Sequence, residues 1–163
     1  MTNYHVVEGE QNRALVAMTY DGRVFPVNEV LAASKPDDLA ILQLDAPDTA
    51  FEPVALAPET PVGAAVTVIS HPRRRFYTLS HGVVSRYHTE MIHGRKTPVM
   101  TITADFARGS SGGPVFNEYG AVAGLVRSTV SVYYNTENGK QENLQMVFKQ
   151  CVPAQCILEL AAQ

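Results

Sequence analysis

Long apolar runs are missing from this 163-residue chain, and none approaches the ~18 residues that a membrane-spanning helix needs, so membrane insertion is not expected. The opening stretch MTNYHVVEGE lacks the basic and extended apolar regions of a signal peptide, which places any export signal outside this sequence. Cysteine is scarce. Cys151 and Cys156, in CVPAQC, make neither a disulfide framework nor the four-ligand spacing of a structural metal site, and no metal or other cofactor is expected. A strong charge of either sign is also absent. The net charge of -3 gives no electrostatic reason to expect a nucleic-acid partner, and the one basic run, Arg73, Arg74 and Arg75, reads as a solvated face in a polar loop. Internal repeats and low-complexity stretches are not found.

What is present suits one globular domain with a sizeable core, with 45% hydrophobic and 18% charged residues. Asp21-Gly22 lies between ALVAMTY and RVFPVNEVLA, both rich in β-branched and aromatic residues, and predicts a hairpin. LAILQL and AAVTVIS follow as strands on either side of a Pro-rich link from Pro47 to Pro61. FYTLSHGVVSRYH, TPVMTIT, GPVFN, AVAGLVRSTVSVYY and ENLQMVF continue at short spacing, the last two around a second hairpin signal, Asn138-Gly139. Helical periodicity is confined to PAQCILELAAQ, with Pro153 near its N-terminus and Ile157, Leu158 and Leu160 clustered for burial. The pattern predicts a mostly β fold of barrels or a sandwich, closed by one C-terminal helix, with an internal boundary in the polar stretch from His71 to Arg75.

The stretch TADFARGSSGGPVF, Thr103 to Phe116, raises the question of chemistry. Glycines around Ser111 allow positive φ and close approach of another molecule, which fits a nucleophilic serine and equally a serine in a turn. A nucleophile would need a base, a group orienting that base, and N–H donors for the developing oxyanion. His5, His71, His81, His88 and His93 all precede Ser111. This excludes the nucleophile elbow of α/β-hydrolases, whose acid and histidine follow the serine, and leaves the order histidine, acid, serine.

TNYHVV, DDLAILQLD, TLSHGVVS and ARGSSGGPVFNEYGAVAGL resemble, in that order, the landmarks of bacterial chymotrypsin-fold serine proteases of the trypsin-like and HtrA-type branch. The resemblance implies two six-stranded antiparallel β-barrels with a C-terminal helix, residues 1–72 being the remainder of the first barrel and 76–163 the second. It places His5 as general base, Asp38 as acid with Asp37 the competing assignment, Ser111 as nucleophile, and the N–H groups of Gly109 and Ser111 as oxyanion hole. It also assigns the primary pocket to Asp105, Phe106, Val126, Arg127 and Ser128. The other four histidines, none of them at ligand spacing with cysteines or carboxylates, read as loop or strand-surface residues. The implied partner is a peptide or an unfolded protein, cleaved after a small or medium aliphatic residue, with a basic residue as the alternative.

Only four residues precede His5, where the family normally has about two strands. The first barrel is therefore expected to be incomplete, with residues 1–21 mobile or paired with a second copy through exposed strand edges, and with His5 often out of reach of Ser111. An inactive remnant or a peptide-binding module of the same fold stays open beside the endopeptidase. Location follows the same fork: periplasmic or secreted if a signal lies upstream, otherwise cytoplasmic.

Overall fold

The computed structural model describes residues 1–9, 15–137 and 139–163. Among them, strands β1 (Val16–Met18), β2 (Val24–Ser34) and β3 (Leu39–Leu44) form an antiparallel sheet in the order β1-β2-β3. Strands β4 (Ala65–Ser70), β5 (Thr78–Ile92), β6 (Arg95–Ile102), β7 (Pro114–Asn117), β8 (Val122–Glu137) and β9 (Lys140–Pro153) close into a barrel in the order β4-β5-β6-β9-β8-β7. The mostly β class and the incomplete first barrel agree with the sequence.

Local chemistry accounts for most of these elements. At Asp21-Gly22 the chain turns with Gly22 at φ +83°, and the Thr19 N–H donates to the Arg23 carbonyl at 2.9 Å. LAILQL is β3 residue for residue. Asn138 of the second hairpin signal lies outside the described residues, while Glu137 and Lys140 on either side are paired. Along β4 the inward positions alternate as Val66, Val68 and Ser70, the period of two that a barrel wall requires. Val66, Val68, Val84, Met100, Ile102, Val115 and Val126 fill the interior together with the Cys151 side chain.

A second core lies between barrel and sheet. Helix α2 (Ala154–Ala161), entered through Pro153, buries Cys156, Ile157 and Leu160 against Leu39, Leu125 and Val152, and so joins β3 to the barrel. Leu158, expected to be buried, is 40% exposed because its position points away from the face shared by residues 157 and 160.

Two expectations are corrected. The boundary at His71 to Arg75 is too late: β4 is hydrogen-bonded to β5 and β7, so the change of sheet falls within residues 45–64, the Pro-rich link. β4 completes the ring between β5 and β7, and no local feature of its sequence discloses that membership. Helix is also not confined to the C-terminus, since α1 (Tyr4–Val7) forms one turn. Val16, Met18, Val24, Val30 and Leu31 of the first sheet are each about half exposed. No helix among the described residues is long and apolar enough to cross a membrane.

Both cysteines are free and buried. Burial raises both thiol pKa values, that of Cys156 to about 12 with Asp37 and Glu159 adding to the effect. Neither thiol should react with a thiol-specific reagent in the native protein at pH 8, and both should react after denaturation. Rapid native-state labelling of either would contradict the packing.

Candidate active site

α1 is too short to be stable alone and is held by its surroundings. Thr2 exchanges both backbone hydrogen bonds with Ala40 of β3, at 3.0 and 2.9 Å, which sets the helix beside the 35–38 turn. The buried Asn3 donates its side-chain amide to the Asp38 carbonyl at 3.0 Å. Asp38 adopts φ +54°, a left-handed conformation that aspartate tolerates better than most residues and that this contact helps to hold. The His5 N–H, one of the donors a helix start leaves unpaired, donates to Asp38 Oδ1 at 2.9 Å. The His5 imidazole turns the same way, with Nδ1 2.8 Å from Asp38 Oδ2.

His5 Nε2 lies 2.9 Å from Ser111 Oγ. The carboxylate on Nδ1 favours a proton there, leaving Nε2 free to accept from the hydroxyl. The expected displacement of His5 is thus overturned: the Thr2–Ala40 pairing, the Asn3 amide and the Asp38 carboxylate together hold α1 in place. Asp37 also differs from expectation. It is a buried carboxylate, not a solvated one, held by Arg95 at 3.2 Å and accepting from Ser34 Oγ at 2.5 Å.

Ser111 sits on a loop tied into the barrel. The Gly112 N–H donates to Val126 O at 3.0 Å, and the Val126 N–H returns to Gly113 O at 2.8 Å. Gly112 has φ +78°, and a Cβ there would stand 2.5 Å from Thr2 Oγ1, so only glycine lets α1 approach the serine loop. Gly109 has φ +96°. The Arg108 carbonyl accepts from the Arg73 N–H at 2.8 Å, and planarity of the trans peptide turns the Gly109 N–H the opposite way. Among the described residues neither the Gly109 nor the Ser111 N–H donates to a protein acceptor. A hydroxyl, an imidazole and a carboxylate in series beside two free N–H groups can move a proton and stabilise an oxyanion.

Phe106, Val126, Arg127 and Ser128 line a cavity of about 110 Å³ beside Ser111. Asp105 is not among them, which corrects its assignment to the pocket. Its side chain is 89% exposed and pairs with Lys149 at 3.2 Å, while Lys149 also donates to the Phe106 carbonyl at 3.0 Å. The apolar Phe106 is drawn inward and its charged neighbour outward.

A polar network behind Asp38 escaped the sequence reading. Arg127 Nε lies 3.8 Å from Asp38 Oδ2 and its Nη1 3.9 Å from Glu90 Oε2. Glu90 Oε1 accepts from Gln150 at 2.6 Å and from His88 Nε2 at 3.0 Å, and Ser128 Oγ donates to Gln150 at 3.1 Å. His88 is therefore a largely buried network member, against the expectation of a surface residue. No local signal links residues so far apart in sequence; an arginine on a strand next to the serine loop was the only pointer.

The chain matches the profile of the trypsin-like peptidase domain over residues 1–125. It belongs to that family. Within the family it is 30% identical over 125 residues to the probable periplasmic serine endoprotease DegP-like of Halomonas elongata, an alignment spanning 77% of this chain and 26% of that protein. The fold is shared with the HtrA-type protease AlgW in complex with a decapeptide, at TM-score 0.75 and 18% identity over 99% of this chain and 46% of AlgW. It is shared too with Rv3671c from M. tuberculosis H37Rv in an inactive form, at TM-score 0.72 and 24% identity over 99% of this chain and 74% of that one. This trypsin-like domain thus spans about a quarter of the length of its Halomonas relative.

Partial burial acts to raise the Glu90 pKa, but hydrogen bonds from His88 and Gln150 and the charges of His88 and Arg127 outweigh it and hold the carboxyl below its ordinary range. A depressed folded-state pKa contributes stability above the unfolded value of ~4.3, and that contribution is lost as pH falls through the folded value. Glu90→Gln should therefore be less stable than the parent at pH 7, with the difference closing toward pH 3. Urea denaturation at both pH values measures it, and a gap that widens on acidification would refute the network's role.

Proposed function

We propose that this trypsin-like domain is a serine endopeptidase acting through an acyl-enzyme, with Ser111, His5 and Asp38 as its catalytic triad. The observation that carries the reading is the continuous contact from Asp38 Oδ2 through His5 to Ser111 Oγ, 2.8 Å and then 2.9 Å. Ser111 Oγ attacks the scissile carbonyl carbon while its proton passes to His5 Nε2. Asp38 stabilises the resulting imidazolium, and the carbonyl oxygen, now an oxyanion, accepts from the Gly109 and Ser111 N–H groups, each worth about 3 kcal/mol in the transition state. Collapse of the tetrahedral species breaks the C–N bond, and His5 returns the proton to the leaving amine. Water, deprotonated by His5, then attacks the ester, releasing the acid and restoring the serine. The Halomonas relative, described as a probable periplasmic endoprotease, supports a periplasmic setting, and the decapeptide bound to AlgW supports peptide or unfolded-protein substrates.

A fluorophosphonate probe tests the mechanism directly. It should label the parent, fail to label Ser111→Ala, and label Asp38→Asn about 10⁴-fold more slowly, because the amide cannot hold the required tautomer. Labelling retained in Ser111→Ala, or an unreactive parent, would defeat the endopeptidase reading and leave a peptide-binding module.

Specificity follows from the small cavity. Its volume of about 110 Å³, the apolar Phe106 and Val126 and the absence of a carboxylate among its lining residues favour a small or medium aliphatic residue before the cut. The Arg127 guanidinium is engaged by Asp38 and Glu90. A peptide library should be cleaved mainly after alanine, valine or residues of similar size, with the same profile in Asp105→Ala. Cleavage mainly after arginine and lysine, abolished by Asp105→Ala, would reverse this assignment.

A further inference from the structure

An open cleft of about 660 Å³ is lined by His71, Arg73, Arg74, Phe76, Arg108 and Gly109. Arg108 lines both this cleft and the small cavity, so the two spaces adjoin beside the peptide that carries the Gly109 N–H. If the acyl residue occupies the small cavity, the leaving-group side of the peptide runs into this cleft. We propose that Arg73, Arg74 and Arg108 form a subsite for an aspartate or glutamate side chain within the first two residues after the scissile bond. This rests on the endopeptidase reading above.

The charges of this cleft are unspent. Among the described residues none of Arg73, Arg74, Arg75 or Arg108 has a carboxylate within ion-pair distance, whereas Arg23, Lys35, Arg95, Arg127, Lys140 and Lys149 each do. The hairpin turn whose Tyr20 packs against Tyr77, ring centroids 5.0 Å apart, carries Asp21, but Arg23 occupies that carboxylate at 2.8 Å. A protein of net charge -3 thus carries, beside its candidate nucleophile, a cluster of guanidinium groups with no carboxylate partner among the described residues.

The loop is also held in an unfavourable backbone. Arg73, Arg74 and Tyr77 have φ of 48°, 66° and 57°, left-handed values that residues with bulky side chains rarely adopt. Specific contacts hold them there. The Arg73 N–H binds Arg108 O, the Arg74 N–H binds His71 O at 3.2 Å, and the Tyr77 N–H donates to His71 Nδ1 at 3.0 Å. The rings of Phe76 and Tyr77 meet that of His71 edge-on at 5.4 and 5.0 Å. A solvated basic loop needs no such bracing, whereas a subsite that must present guanidinium groups at a fixed place does. Arginine forms paired, charge-assisted hydrogen bonds to a carboxylate, and an unpartnered arginine gives up no existing ion pair to do so.

The test is competition between C-terminally amidated peptides identical up to an aliphatic residue before the cut and carrying Glu or Gln at the first or second position after it. At low salt the Glu peptide should show about tenfold higher kcat/KM. That ratio should shrink markedly in 0.5 M NaCl, where charge attraction is screened, and fall to about one in Arg73→Asn/Arg74→Asn. Asparagine is chosen because it tolerates left-handed φ. Should the double variant fail to fold, Arg74→Asn alone should reduce the ratio at least threefold. A ratio of one in the parent, a ratio that persists in the arginine variants, or a preference that follows a free C-terminal carboxylate instead of the side chain overturns the subsite. Fluorescence anisotropy of the same labelled peptides on Ser111→Ala protein reads the subsite without catalysis. Tenfold tighter binding of the Glu peptide supports it even if the parent is inert to the fluorophosphonate probe, and equal affinities refute it.

Discussion

The Asp38 carboxylate is the contact on which the geometry of this site turns. Its two oxygens hold His5 by backbone and ring together, so the group that orients the imidazole also anchors the helical turn bearing it. A four-residue helix has no stability of its own to lend. Asp38 must therefore be firmly placed, and it is: Asn3 holds its carbonyl, and Arg127 supports its carboxylate from the barrel side. The left-handed backbone at Asp38 is accepted because these contacts over-determine it.

The closed barrel supplies the rigid half. The serine loop is hydrogen-bonded to Val126, and Arg127, the next residue, reaches Asp38, so one stretch of β8 positions both the serine and the acid. Two further ties cross from the β5–β6 hairpin to the turn bearing the acid: Arg95 to Asp37, and Thr97 Oγ1 to the Pro36 carbonyl. With α2 packed against Leu39, Ala32 and Ile41, these ties hold the end of the three-stranded sheet that bears Asp38. This explains how His5 can stand within hydrogen-bond distance of Ser111 although much of the first sheet's apolar surface is exposed.

Charge is divided between internal ties and the cleft. Arg95, Arg127 and Lys149 are committed to Asp37, Asp38 and Asp105, whereas the arginines beside Gly109 have no such partner among the described residues. Arg73 links the two uses. Its N–H fixes the Arg108 carbonyl and thereby the direction of the Gly109 N–H, while its side chain lines the adjoining cleft.

Strand identities followed from the chain alone because they depend on near neighbours: the Asp21-Gly22 turn, the apolar run of β3, and the glycines around Ser111. The order of His5, Asp38 and Ser111, and the motifs around them, likewise pointed to the fold. What the chain could not disclose are features set by barrel closure, which juxtaposes residues distant in sequence. β4 reads as a strand anywhere, and only pairing with β5 and β7 assigns it to the barrel. Asp37 became a buried ion-pair member through Arg95, and Arg127 became a support for Asp38, through side chains arriving from other elements. Asp105 turned outward because Phe106 took the interior and Lys149 stood ready on β9. Periodicity and turn chemistry settle which backbone a segment adopts; which charges meet depends on how those segments close around a common core.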